Sequence, residues 1–125
     1  TFFSLQRGMK PEAAIPVPKA ETVVDYGCRI DNFADLAAIL VNLDVVVSVD
    51  TAALHLAGAL GVKAYGLIHF SPDWRWELAG EQTRWYDTVT LLRQERPFDW
   101  SSCLTRLTAV LRRLAHAPDE LSPLR

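Results

Sequence analysis

Asp50, Thr51 and His55 are the residues whose types and spacing point most directly to chemistry. Asp50-Thr51 closes the run Val45-Val46-Val47-Ser48-Val49 and opens the alanine- and leucine-rich stretch Ala52 to Leu60. A helix that begins directly after a strand presents unbonded N–H groups, here those of Thr51, Ala52 and Ala53. With the helix dipole and the Thr51 hydroxyl, they suit a phosphate or pyrophosphate. His55 falls one turn further on the same face as Thr51, where it can hydrogen-bond a phosphate or a sugar hydroxyl. The same residues also have a purely structural reading, with Asp50 as an ordinary N-cap and His55 as a satisfied core histidine. Spacing alone leaves both readings open.

A second group lies in the stretch His69 to Trp85, which holds Trp74, Trp76 and Trp85 beside Asp73, Arg75, Glu77 and Arg84. Flat aromatic faces flanked by charged hydrogen-bonding groups can hold sugar rings. The alternative is a small satellite core under a long loop. Trp85 and Trp100 are expected to belong to such a core, while the Asp73-Trp74-Arg75-Trp76 stretch fits either role. Gly58 and Gly61 lie within and after the second helix, not before it, so no dinucleotide fingerprint supports hydride transfer. Paired carboxylates, a Ser/His/Asp set and a Cys/His pair are not apparent. Asp25, Asp44 and Asp87 read as caps or solvated ends.

The elements that must position these groups follow from periodicity. Thr1 to Leu5 and Val23 to Tyr26 read as short strands. Between them, Lys10 to Thr22 carries Pro11, Pro16 and Pro18. It reads as an irregular connector with at most one helical turn near Glu12 to Ala14. Asn32 is the expected N-cap of a helix with Asp35 in the capping-box position. Phe33, Leu36, Ala37, Leu40 and Leu43 share one face of that helix, and Asp44 ends it. Val45 to Val49 resembles a strand buried on both faces. The helix from Ala52 to Leu60 is apolar nearly all round and is expected to be mostly buried. Lys63 to Ile68 and Val89 to Leu92 are the last two strands. Asp99 caps a final helix with Leu104, Leu107, Leu111 and Leu114 inward. Short apolar strands alternating with helices predict an α/β fold, a Rossmann-like open parallel sheet flanked by helices. In such a sheet ligands bind beyond the carboxyl ends of the strands. Gln6, Asp50, Thr51 and the segment His69 to Trp76 all fall there.

Composition narrows the function. The chain has 125 residues, 50% hydrophobic and 22% charged, which suits one globular domain. Residues 1–117 are expected to form it and 118–125 a flexible tail. Thirteen basic against fifteen acidic residues leave no positive surplus for a nucleic-acid backbone. Asp44 and Asp50 interrupt the longest apolar run, so no membrane span is expected. Cys28 and Cys103 lie far apart and in no metal-ligand spacing, as suits a reducing, cytoplasmic compartment. The sequence opens at Thr1 in a strand-like run, with neither a start methionine nor a signal peptide, and is read as a piece of a longer protein.

Three segments together carry a resemblance. They are Asp31-Asn32-Phe33-Ala34-Asp35-Leu36-Ala37-Ala38, the stretch from Val47-Ser48-Val49-Asp50-Thr51 through His55 to Gly61, and Phe70-Ser71-Pro72-Asp73-Trp74-Arg75-Trp76. The chain up to about Ala115 resembles the carboxyl-terminal half of a GT-B glycosyltransferase of the heptosyltransferase type. It is most similar to versions found at the end of bacterial tetratricopeptide-repeat proteins. The Asp-Thr-x-x-x-His stretch followed by an Ala/Leu/Gly helix is the specific part.

The resemblance implies a donor site for a nucleotide-diphosphate sugar, bound as substrate, with no cofactor and no metal. With the residues at the strand ends, the expected donor-binding set is Gln6, Ser48, Asp50, Thr51, Ala52, His55, Asp73 and Trp74, and no catalytic residue is assigned within this half. Asp50 matches an acid near the donor sugar, Thr51 and Ala52 match positions that hold the pyrophosphate, and His55 matches the histidine of the motif. Ala52 stands where heptosyltransferases usually have glycine. The expected partners are the nucleotide sugar and the missing amino-terminal half, or the tetratricopeptide repeats, of the parent chain. Alone, this half is expected not to turn over. Two other readings share the fold: a non-catalytic interaction or scaffold module of a repeat protein, and half of a sugar-nucleotide epimerase.

Overall fold

The computed structural model describes residues 1–6 and 23–116. The Lys10 to Thr22 connector, with its helical turn near Glu12 to Ala14, and the tail from Pro118 lie outside the described residues. The described chain is α/β, with parallel strands in sheets flanked by helices, as expected. It divides into two compact units, Thr1–Ile39 and Leu40–Arg125.

In the first unit β1 (Phe2–Ser4) and β2 (Val23–Asp25) pair in parallel, Phe3 opposite Val24. The Tyr26 N–H continues the ladder to the Ser4 carbonyl at 2.8 Å. A short 3-10 turn, Gly27–Arg29, follows. Its glycine is obligatory, because a Cβ there would lie 1.9 Å from the Gln6 carbonyl oxygen. Helix α1 (Phe33–Leu40) begins with the expected capping box. Asn32 Oδ1 accepts from the N–H groups of Ala34 (2.8 Å) and Asp35 (3.0 Å), while Asp35 Oδ2 accepts from that of Asn32 (3.2 Å). Two expectations need correction. The helix ends at Leu40 rather than Asp44, in a turn closed by the Leu43 N–H on the Leu40 carbonyl. Phe33 is exposed, and the buried positions are Leu36 and Leu40.

The second unit holds β3 (Val46–Val49), α2 (Ala52–Ala59), β4 (Ala64–Ile68), β5 (Val89–Arg93) and α3 (Ser101–His116). The sheet order is β3-β4-β5, all parallel, with Val46 opposite Ala64 and Ala64 opposite Val89. The central strand β4 is the one covered on both sides. Val45 to Val49 was expected to be such a strand, but Val47 and Val49 are exposed. The reason is position: among the described residues β3 is an outer strand of the sheet β3-β4-β5, with β4 as its partner. Tyr65 and Leu92 pack with Cys103, Leu107 and Leu114 of α3. The stripe therefore runs through Cys103 and not Leu104, which is half exposed. Trp100 packs against this cluster. Asp99 Oδ1 accepts from the Ser101 N–H at 2.9 Å, two residues before the helix proper, and Trp100 is the residue whose carbonyl takes the first helical bond.

On the alternate residues of β4, Leu54 of α2 sits over Gly66, where a Cβ would come within 2.8 Å of Leu54 Cδ2. Leu54 and Ala57 are fully buried, but Leu56 is only partly so and Ala52, Ala59 and Leu60 are exposed. The all-round burial expected for α2 is therefore absent, because this short helix packs on its sheet by one face. Leu54→Ala should cost about 2–5 kcal/mol, and Leu56→Ala clearly less. Denaturant melts of both variants check the order; equal losses would mean that α2 packs through both faces.

Candidate functional site

The site grows from the turn between β3 and α2. Thr51 is the N-cap residue, with an extended backbone (φ −143°, ψ 167°), and its side chain makes no cap hydrogen bond. Its hydroxyl lies instead 2.9 Å from that of Ser48, which itself donates to the Val49 carbonyl at 2.9 Å. The Leu54 N–H bonds the Thr51 carbonyl at 3.0 Å. The N–H groups of Ala52 and Ala53, at the uncapped first turn, remain available. Asp50 is not the N-cap that the structural reading made of it: its Oδ1 lies 3.7 Å from His55 Nε2.

The facing wall comes from the segment between β4 and β5. Gln94, buried just after β5, fixes its start by accepting the Phe70 N–H at 2.9 Å. Further on, Arg93 gathers the carbonyls of Trp76, Glu77 (3.0 Å), Ala79 (3.3 Å) and Gly80 (2.6 Å) on one guanidinium. Burial pushes the Arg93 pKa down from its usual value, with Glu77 opposing. The chain turns here with positive φ at Glu77 (59°) and Gly80 (87°). Glu77, unlike glycine, meets steric resistance in that region.

Before this pin, Asp73 starts a 3-10 turn, Trp74–Trp76. Asp73 Oδ1 accepts from the Arg75 N–H at 3.0 Å and pairs with the Arg75 guanidinium at 2.6 Å. The Arg75 backbone N–H holds the Asp73 carboxyl below the usual carboxylate range; burial opposes this, and the guanidinium adds to it. Arg75 also lies over the Trp74 ring, 5.5 Å from its centre. The Trp85 indole N–H donates to the Arg75 carbonyl at 3.0 Å, and Trp85 meets Trp74 edge-to-face at 6.1 Å.

Trp76 turns the other way. It is 1% exposed and stacks on the His55 ring at 4.8 Å. Tyr86 approaches His55 from another side, its hydroxyl 3.0 Å from Nδ1. The Tyr86 ring crosses α2 at Gly58, where a Cβ would fall 2.4 Å from Cγ. His55 is thus a half-buried residue held by side chains, not a core histidine bonded to backbone.

Asp50, Thr51, Ala52, His55, Trp74, Arg75, Trp85 and Tyr86 line one open cleft of about 610 Å³. Of the residues expected from sequence, Asp50, Thr51, Ala52, His55 and Trp74 come together on its surface. Ser48 and Asp73 stand behind it, gripping Thr51 and Arg75. Gln6 belongs to the first unit, after β1. Trp85, expected in a core, is 57% exposed, and Trp74 is 72% exposed. Trp76 is the core tryptophan of the group. The sequence reading missed Tyr86; Gly58, three residues after His55 on the same helical face, was the signal for a ring crossing there. Another depression, of about 420 Å³ beside Asp99, Ser101 and Arg106, shares none of these residues. Among the described residues no group of three or more His, Cys, Asp or Glu could hold a metal ion, and no helix is long and apolar enough to cross a membrane.

Comparisons with known protein families, curated proteins and solved structures give no match.

Gly58→Ala separates packing from propensity. Alanine favours a helix over glycine by about 1 kcal/mol. A methyl group at this site must push the Tyr86 ring aside, and such overpacking costs about 1–3 kcal/mol. The variant should be destabilised in denaturant melts. A gain in stability would show that Tyr86 does not rest on Gly58.

Proposed function

We propose that this chain is the nucleotide-sugar donor-binding half of a GT-B glycosyltransferase of the heptosyltransferase type, as found at the end of tetratricopeptide-repeat proteins. The observation that carries the reading is the uncapped start of α2 in the same cleft as two exposed tryptophans. The N–H groups of Ala52 and Ala53 and the helix dipole would take the diphosphate. Those dipoles are fixed before the reaction, so they stabilise the departing diphosphate without reorganisation. Asp50, His55 and Arg75 supply acceptors and donors for hydroxyl groups, and Trp74 and Trp85 supply apolar faces of the kind that cover one side of a sugar ring.

No residue of the cleft is assigned as the base that activates an acceptor. That group and the acceptor site would come from the amino-terminal half, so this half binds and positions while the complete enzyme transfers. The nucleotide sugar is the substrate, and neither cofactor nor metal is part of the proposal. Unpaired Cys28 and Cys103 accord with a cytoplasmic setting. Ala52 favours the second reading, a non-catalytic scaffold. Its methyl group stands where the resembling enzymes have glycine, and it lies on the cleft surface.

Calorimetry of the full-length protein with UDP, ADP and GDP tests the proposal, and Ala52→Pro sharpens it. Proline is tolerated at the first helical position, and the extended Thr51 backbone suits a residue before proline. The substitution deletes one N–H donor. It should weaken diphosphate binding about tenfold or more, the loss of a hydrogen bond to a charged group, with little change in melting temperature. No binding of any of the three at millimolar concentration would remove the donor-site assignment and favour the scaffold.

A further inference from the structure

The surroundings of His55 determine which of its nitrogens carries the proton. Nδ1 faces the Tyr86 hydroxyl at 3.0 Å, and Nε2 faces Asp50 Oδ1 at 3.7 Å. A neutral imidazole has one N–H and one bare acceptor nitrogen. With the proton on Nδ1, the bare Nε2 lone pair would point at a carboxylate, two acceptors face to face. With the proton on Nε2, the Tyr86 O–H donates to Nδ1 and the Nε2–H lies toward the Asp50 charge. Only the second arrangement gives every group a complementary neighbour. The Trp76 stack holds the ring plane, with 25° between the two rings. Gly58 lets the Tyr86 ring come close enough to reach.

The 3.7 Å separation has a consequence for the ligand. It is too long for a direct hydrogen bond between His55 and Asp50, but one oxygen atom can sit about 2.8 Å from both. That oxygen must accept from Nε2–H and donate to Asp50. A hydroxyl group does both. An ionised phosphate oxygen has no proton to give and would bring its negative charge against the carboxylate.

We infer that Asp50 and Tyr86 together hold His55 as the Nε2–H tautomer, Asp50 by rejecting a bare Nε2 and Tyr86 by donating to Nδ1, and that His55 and Asp50 form a donor–acceptor fork for one hydroxyl of the ligand. The fork assigns His55 to the sugar part of a nucleotide sugar and leaves the diphosphate to the start of α2. Its ligand rests on the donor-site reading; the tautomer rests on the geometry alone.

Two measurements test it. Long-range ¹H–¹⁵N correlation of His55 in the ligand-free protein, at a pH where the ring is neutral, should show Nε2 protonated and Nδ1 bare. Tyr86→Phe keeps the ring over Gly58 and removes the donor to Nδ1, so Nε2 should stay protonated beside Asp50 while the Nδ1 ¹⁵N resonance moves downfield, with a nearly unchanged melting curve. A predominant Nδ1–H form in the wild type, or an unmoved Nδ1 resonance in Tyr86→Phe, would overturn the arrangement. The fork is read as the ratio of affinities for UDP-glucose over UDP, ADP-glucose over ADP and GDP-mannose over GDP. At least one ratio should exceed one, and Asp50→Asn should lower it about tenfold, the loss of a hydrogen bond to a charged group. Equal affinities with and without the sugar would overturn the fork and leave the diphosphate site standing. No binding by any nucleotide or nucleotide sugar would remove the fork together with the donor reading.

Discussion

The guanidinium of Arg93 is the constraint on which the cleft depends. The segment between β4 and β5 has little regular structure, so its carbonyl groups need partners from elsewhere if it is to fold against the sheet. Arg93 extends from the end of β5 and satisfies four of them, at Trp76, Glu77, Ala79 and Gly80. Hydrogen bonds from a charged donor are stronger than neutral ones, and one planar group sets the mutual positions of its acceptors. The segment is thereby closed into a turn just after Trp76. From that point the rest follows backwards along the chain: Trp76 goes under His55, Arg75 is held by Asp73, and Trp74 and Trp85 are left on the rim.

Helix α2 then serves the core and the cleft with adjacent residues. Leu54 packs into the space left by Gly66 on β4. His55, the next residue, points to the cleft between Trp76 and Tyr86. Gly58, one turn on, carries no side chain because Tyr86 lies there. A shift of the helix along the sheet would therefore move the imidazole and the N–H groups of Ala52 and Ala53 together. Packing of Leu54 is thus coupled to the geometry at the strand-to-helix turn.

The α/β class and the order of elements were legible because strand and helix periods differ and the Asn32 capping box marks a boundary sharply. The Asp50-Thr51 junction and His55 stood out for the same reason, since they sit where one period gives way to the other. Burial was harder to read. Val47 and Val49 have the composition of a central strand, but edge position is decided by neighbours distant in sequence. Cys103 rather than Leu104 faces the sheet because a helix has one inward stripe, and a leucine outside it stays exposed. Composition alone puts Trp85 in a core and leaves Trp74 and Trp76 open, because all three indoles share the same kind of charged neighbours. Whether an indole is core or rim depends on turns set by Arg93 and Asp73, contacts that leave no periodic trace. Tyr86 was missed because its partner, His55, is 31 residues away.

The uncapped start of α2 is proposed to receive the diphosphate of a nucleotide sugar. Amide chemical-shift mapping of the full-length protein during titration with UDP, ADP and GDP tests this most directly. The largest shifts should fall on the Ala52 and Ala53 N–H groups, with smaller ones at the indole N–H of Trp85. Saturable shifts centred instead on Ser101, Ser102 and Arg106 at the start of α3, with Ala52 and Ala53 unmoved, would contradict it.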